Sequence, residues 1–135
     1  LQVFDRSSGH ADDGIVSDLG GGCGQGGWSA ASCARAGNQG FTLRLREAAP
    51  NVPALLVLGE AQLGFSCGPC ELVVDPVLVL SAGLTDPLHG CAEVSVPLAS
   101  NPALIGADFL MQWLTVSGNQ CFGVEFSNAL HVEIQ

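Results

Sequence analysis

The chain has 135 residues, 47% of them hydrophobic and 13% charged. That is enough apolar content for one domain with a buried core and too little polarity for a disordered segment. Four basic residues, all arginine, stand against 13 acidic ones, and the net charge of −9 excludes a nucleic-acid backbone and disfavours an anionic membrane surface as a partner. No apolar run approaches the roughly 20 residues of a membrane-spanning helix.

Leu1-Gln2-Val3-Phe4 opens the chain as a short apolar strand. Residues 5–22 read as a long polar, glycine-rich loop, and Gly20-Gly21-Gly22-Cys23-Gly24-Gln25-Gly26-Gly27 loses too much backbone entropy to be helical. The reading is therefore an arm with a polar loop over residues 1–19 and a folded body over residues 20–135. The chain starts at Leu1 without a charged-then-apolar leader, as a mature chain does once its signal peptide has been removed.

From residue 41 the pattern is that of strands. Residues 41–46 alternate, with Arg44 and Arg46 toward water. Residues 48–53 form a turn, and 54–58 are a buried run closed by Gly59. Residues 71–74 and 77–80 are two strands split by Asp75-Pro76, and 92–98 alternate again. Asn101 as N-cap, Pro102 at the first position and Gly106 as the stop predict one helical turn. Residues 109–116 make the longest strand, and 122–126 and 130–134 close the body around a turn at Ser127-Asn128. Eight or nine short strands with turn signals every ~8–12 residues and no long amphipathic helix predict an all-β fold, an antiparallel β-sandwich of jelly-roll or immunoglobulin-like type.

Six cysteines, Cys23, Cys33, Cys67, Cys70, Cys91 and Cys121, in a small domain of low charge predict a disulfide-stapled, secreted framework. Spacing does not fix the pairing. Local pairing is the simplest arrangement: Cys23 with Cys33, Cys67 with Cys70, and Cys91 with Cys121. Cys67-Gly68-Pro69-Cys70 matches the C-x-x-C redox motif, but that chemistry needs a helix N-terminus to lower the pKa of the first thiol. The β-branched run that follows, stopped by Pro76, predicts a bridged turn between strands instead. Zinc is disfavoured by the dispersed histidines and the absence of a second C-x-x-C.

Asp12, Asp13 and Asp18, with His10, form an acidic loop whose oxygens suit calcium in chemistry but not in spacing, so the expectation is no resident cofactor, with calcium as the one alternative. His89 and His131 have no nucleophile or carboxylate neighbour in sequence, there is no G-x-S-x-G, and Glu71, Glu93, Glu125 and Glu133 sit at alternating strand positions that read as the wet face of a sheet. Trp113 falls among core residues, whereas Trp28 follows the glycine run in a loop, as an exposed ring fit to stack on a sugar.

One ordered set of segments carries a resemblance. It comprises the Gly/Cys-rich opening at 20–27, Gly37-Asn38-Gln39-Gly40-Phe41, the stretch Ala49-Pro50-Asn51-Val52-Pro53 with its strand to Gly59, Cys70 with its run to Pro76, residues 96–106, and the closing strands. Together these resemble a β-rich domain of secreted proteins of planctomycetes and some other Gram-negative bacteria, often at the C-terminus of larger exported chains. The resemblance implies a small exported β domain and supplies no catalytic residue. The extra cysteines and the arm over residues 1–19 depart from it.

The sequence thus predicts a non-catalytic structural or assembly protein, secreted or at the cell surface, that associates with itself or with other surface proteins. In the specific form, Leu1, Gln2, Val3 and Phe4 add as a strand to an open sheet edge of a neighbour in an extracellular filament or surface layer, because no lysine is present to blunt an edge. The alternative is a glycan- or surface-binding adhesive module that uses Trp28, with calcium in support.

Overall fold

The computed structural model describes residues 15–23, 27–32, 37–96, 98, 105–118 and 121–135. The arm Leu1–Phe4, His10, Asp12, Asp13, Cys33 and most of the helical turn expected at 101–106 lie outside these residues.

The described residues form eleven strands and no helix: β1 (Ile15–Gly20), β2 (Trp28–Ala31), β3 (Thr42–Arg46), β4 (Pro53–Gly59), β5 (Gln62–Cys67), β6 (Cys70–Val74), β7 (Leu78–Leu84), β8 (Ala92–Ser95), β9 (Asp108–Thr115), β10 (Glu125–Phe126) and β11 (Ala129–Glu133). All pairings are antiparallel. The larger sheet runs β1-β11-β9-β4-β7, with β10 also on β9; β2-β3-β8 form a second sheet and β5-β6 a hairpin. The all-β, disulfide-stapled antiparallel sandwich is therefore present.

Period-two patterning explains which faces meet. Phe41, Leu43 and Leu45 project inward from the smaller sheet onto Ala54 and Leu56 of β4, Met111 and Trp113 of β9, and Leu130 and Val132 of β11, in one continuous core. Arg44 and Arg46, the alternate residues of β3, are exposed. The indole Nε1 of Trp113 lies in this core without a hydrogen-bond partner.

The structure adds a third layer to the expected two. The β5–β6 hairpin lies on the outer face of the larger sheet, where Val73 and Val74 pack on Val57, Leu110 and Ala129. This is why β9 reads as an almost unbroken apolar run, since both of its faces are covered. Gln112, fully buried on that outer face, joins the two layers. Its Nε2 donates to the carbonyls of Glu71 (2.9 Å) and Ser127 (2.8 Å), and its Oε1 accepts from the amides of Val73 (2.8 Å) and, at 3.4 Å, Val74. The β5 register slips between Gln62 and Phe65, opposite Val73, and there Gln112 takes the Val73 amide.

Three strands fall where the sequence reads as loop. β1 begins within the region assigned to the arm and polar loop, Trp28 opens β2, and β5 had no strand signal of its own. β5 carries Gly64 at φ +70°, its side chains are exposed as far as Ser66, and it is held by pairing with β6 rather than by an apolar face.

Candidate functional site

The cysteines pair over long range, which overturns the local arrangement. Cys23 bonds Cys70 and Cys67 bonds Cys121, at sequence separations of 47 and 54 residues, and Cys91 is a free thiol. Cys67 and Cys70 do face one another across the hairpin. Gly68, at φ +60°, takes the first central position of a two-residue turn, which suits glycine. Each cysteine nevertheless reaches out of the hairpin, one to the loop after β1 and the other to the turn before β10. The C-x-x-C motif is thus two anchors for one hairpin and not a dithiol pair.

The other sequence candidates are scattered. Asp18 is exposed on β1, and its Oδ1 accepts from the Gly20 amide at 2.8 Å. Among the described residues no group of three or more His, Cys, Asp and Glu side chains could hold a metal ion. His131 Nε2 meets Asp108 Oδ2 at 2.8 Å on the outer face of β11 and β9, without a nucleophile in the pair. His89 lies near Asp86, which closes the turn after β7 by accepting from the amides of His89 (2.8 Å) and Cys91 (3.0 Å). The Cys91 amide, more than any other group, holds the Asp86 carboxyl below its ordinary value, against some loss of solvation; the His89 amide and ring add to the lowering.

Glu125 departs from the wet-face reading. It is buried on the inner side of β10 and accepts from Ser117 Oγ at 3.0 Å. Ser29, Ser127 and Asn128 converge as the sequence did not foretell. Ser29 Oγ lies 2.7 Å from Ser127 Oγ and 2.7 Å from the Asn128 carbonyl, and the Ser29 amide donates to Asn128 Oδ1 at 2.8 Å. This cluster ties β2 to the β10–β11 turn.

Two surfaces remain. Trp28, 57% exposed, starts β2 opposite Arg46 on the outer face of the smaller sheet, where Arg44 pairs in register with Glu93. The second surface lies where the two sheets end. β7 pairs only with β4 and β8 only with β3 among the described residues, so each ends its sheet, and the two edge strands approach one another on one side of the sandwich. Leu78 to Leu84 contain no charge and no proline, the usual guards of an edge. Val77, Leu78 and Val79 are 72%, 50% and 49% exposed.

Beside this edge an open cleft of about 230 Å³ runs between the sheets. Phe41, Leu43, Leu58, Leu78, Val96 and Phe109 line it, with Glu60 as its one charged residue. Phe41 and Phe109 meet edge to face in its wall, ring centroids 6.5 Å apart. Comparisons of the chain with family models, with curated proteins and with solved structures found no match.

Proposed function

We propose that this protein is a non-catalytic assembly subunit, exported to an oxidising compartment at or beyond the cell surface, which joins its neighbours by strand addition at a sheet edge. The observation that carries this reading is the β7 edge: uncharged, apolar, unpaired among the described residues, and adjoining an apolar cleft. An edge of this kind templates pairing with another chain. Two disulfides are compatible with an extracellular site. Among the described residues, serine, histidine and carboxylate groups do not converge on a reacting centre, which favours a binding role.

Sedimentation velocity and electron microscopy of the purified chain test the reading. The expected result is concentration-dependent oligomers or filaments that strengthen with salt, because the copies carry −9 each and repel at low ionic strength. A chain that stays monomeric at every concentration and salt overturns it.

A second reading rests on Trp28. An exposed indole beside Arg46 and the Arg44–Glu93 pair is the kind of surface that stacks on a sugar ring and hydrogen-bonds its hydroxyls. Binding on a glycan array that disappears in Trp28→Ala would establish it.

A further inference from the structure

We infer that the cleft at the start of β7, walled by Phe41, Leu43, Leu58, Val96 and Phe109, is the acceptor for the Leu1–Phe4 segment of a second copy, which lies along the β7 edge and extends the larger sheet. The inference rests on the assembly reading above and names its two contacting parts.

Four features of the chain fit the arm to the cleft. In an extended segment Leu1 and Val3 share one face, so two aliphatic side chains stand about 7 Å apart, the repeat that cleft residues along a strand present. The cleft wall is apolar apart from Glu60, and Leu1–Phe4 offers three apolar side chains and the uncharged Gln2, so the segment brings no charged side chain into the cleft. The geometry of the sheet supplies the third. β1, to which the arm leads, and β7 are the opposite edges of the strand order β1-β11-β9-β4-β7. Donor and acceptor on opposite edges make a head-to-tail contact that leaves one arm and one cleft free at every stage, which is how an open chain of subunits grows.

The fourth feature is the end of the sheet at which β1 starts. Ile15 pairs with Glu133, Glu133 with Asp108, Gly59 with Leu110, and Leu58 with Leu78, so β1 starts at the same end of the sheet as the cleft. Insertion into the same molecule would need residues 5–14 to fold back over about 24 Å, five strand spacings, to reach the far side of β7. That path crosses the sheet end where Gly106 and Ala107 are hydrogen-bonded to Ile134. A neighbour's cleft is reached by extending outward from the β1 edge with no such fold-back. Fully extended, residues 5–14 span about 33 Å, so the same-chain arrangement is the rival that the test must separate.

The test uses two full-length variants and their mixture. One carries Leu1→Asp with Val3→Asp, which spoils the arm. The other carries Leu78→Asp, which puts a charge in the cleft, and Val77→Lys serves as a second version at a more exposed position; circular dichroism verifies that each is folded. The expected result by light scattering after gel filtration is that the unmodified chain forms higher oligomers, each variant alone is monomeric, and an equal mixture gives dimers and nothing larger. Dimers arise because only the intact arm of the cleft variant and the intact cleft of the arm variant can join.

Monomers in the mixture, while the unmodified chain associates, overturn the assignment of arm and cleft and leave the assembly reading standing. Oligomers that persist in either variant do the same. An unmodified chain that is monomeric throughout overturns both, and its arm, if then protected from aminopeptidase, occupies its own cleft.

Discussion

Gln112→Met isolates the fastening of the hairpin layer, because methionine is unbranched and of similar length but has neither the amide donor nor the carbonyl acceptor. Filling the same space keeps the cavity contribution small. The substitution strands the Val73 amide and the Ser127 carbonyl in a buried site, while the Glu71 carbonyl keeps the Gly22 amide at 3.0 Å. Each unsatisfied buried group costs about 1–3 kcal/mol, so two of them amount to about 2–6 kcal/mol.

Urea unfolding followed by Trp113 emission measures this directly, since Trp113 is fully buried and moves to water on unfolding. The midpoint should fall with an unchanged m-value. Because both disulfides still tether the hairpin, amide exchange should quicken first over residues 62–74, ahead of global unfolding. A loss below about 1 kcal/mol would refute the argument, since it would mean that water or a backbone shift satisfies those groups as well as Gln112 does.

Removing Cys67–Cys121 by a double serine substitution should cost about 4 kcal/mol in the chain-entropy account of a loop of this length. Removing both bridges should cost about twice that, because the two loops share only residues 67–70; non-reducing peptide mapping checks the pairing itself. Phe122 is 99% exposed at φ +52° and is followed by Gly123 at φ +88°, between the bridged residues Cys121 and Val124. Both central positions of that turn need positive φ, which asparagine tolerates better than phenylalanine, so Phe122→Asn should raise stability by about 1 kcal/mol in a thermal melt; an unchanged or lower melting temperature would count against it. The stabilisation from Asp86 is complete above the ordinary carboxyl value of 3.8 and is lost as pH falls toward the lowered folded value. Asp86→Asn should therefore flatten the acid limb of the stability profile and leave its neutral plateau sloped as before.

The sequence by itself determined the strands that carry their own pattern. Alternation placed β3 and β8, the long apolar run placed β9, Asp75-Pro76 separated β6 from β7, and Ser127-Asn128 turned β10 into β11, because period-two burial and turn chemistry are local properties of a chain. It also determined that Cys23, Cys67, Cys70 and Cys121 are structural in kind, whereas Cys91, expected in a bridge, is a free thiol. Only the tertiary structure decided which of them meet. A disulfide joins what the fold brings together, and the turn that puts Cys67 opposite Cys70 leaves each free to bond a residue some fifty positions away.

Strands β1, β2 and β5 escaped notice because glycine-rich or exposed segments become strands through their partners' hydrogen bonds rather than through their own side chains. The cleft is further still from sequence. Leu58, Leu78, Val96 and Phe109 each read as ordinary core, and it is the ending of the two sheets at β7 and β8, on one side of the sandwich, that leaves them beside open space while Phe41 forms the buried wall behind them.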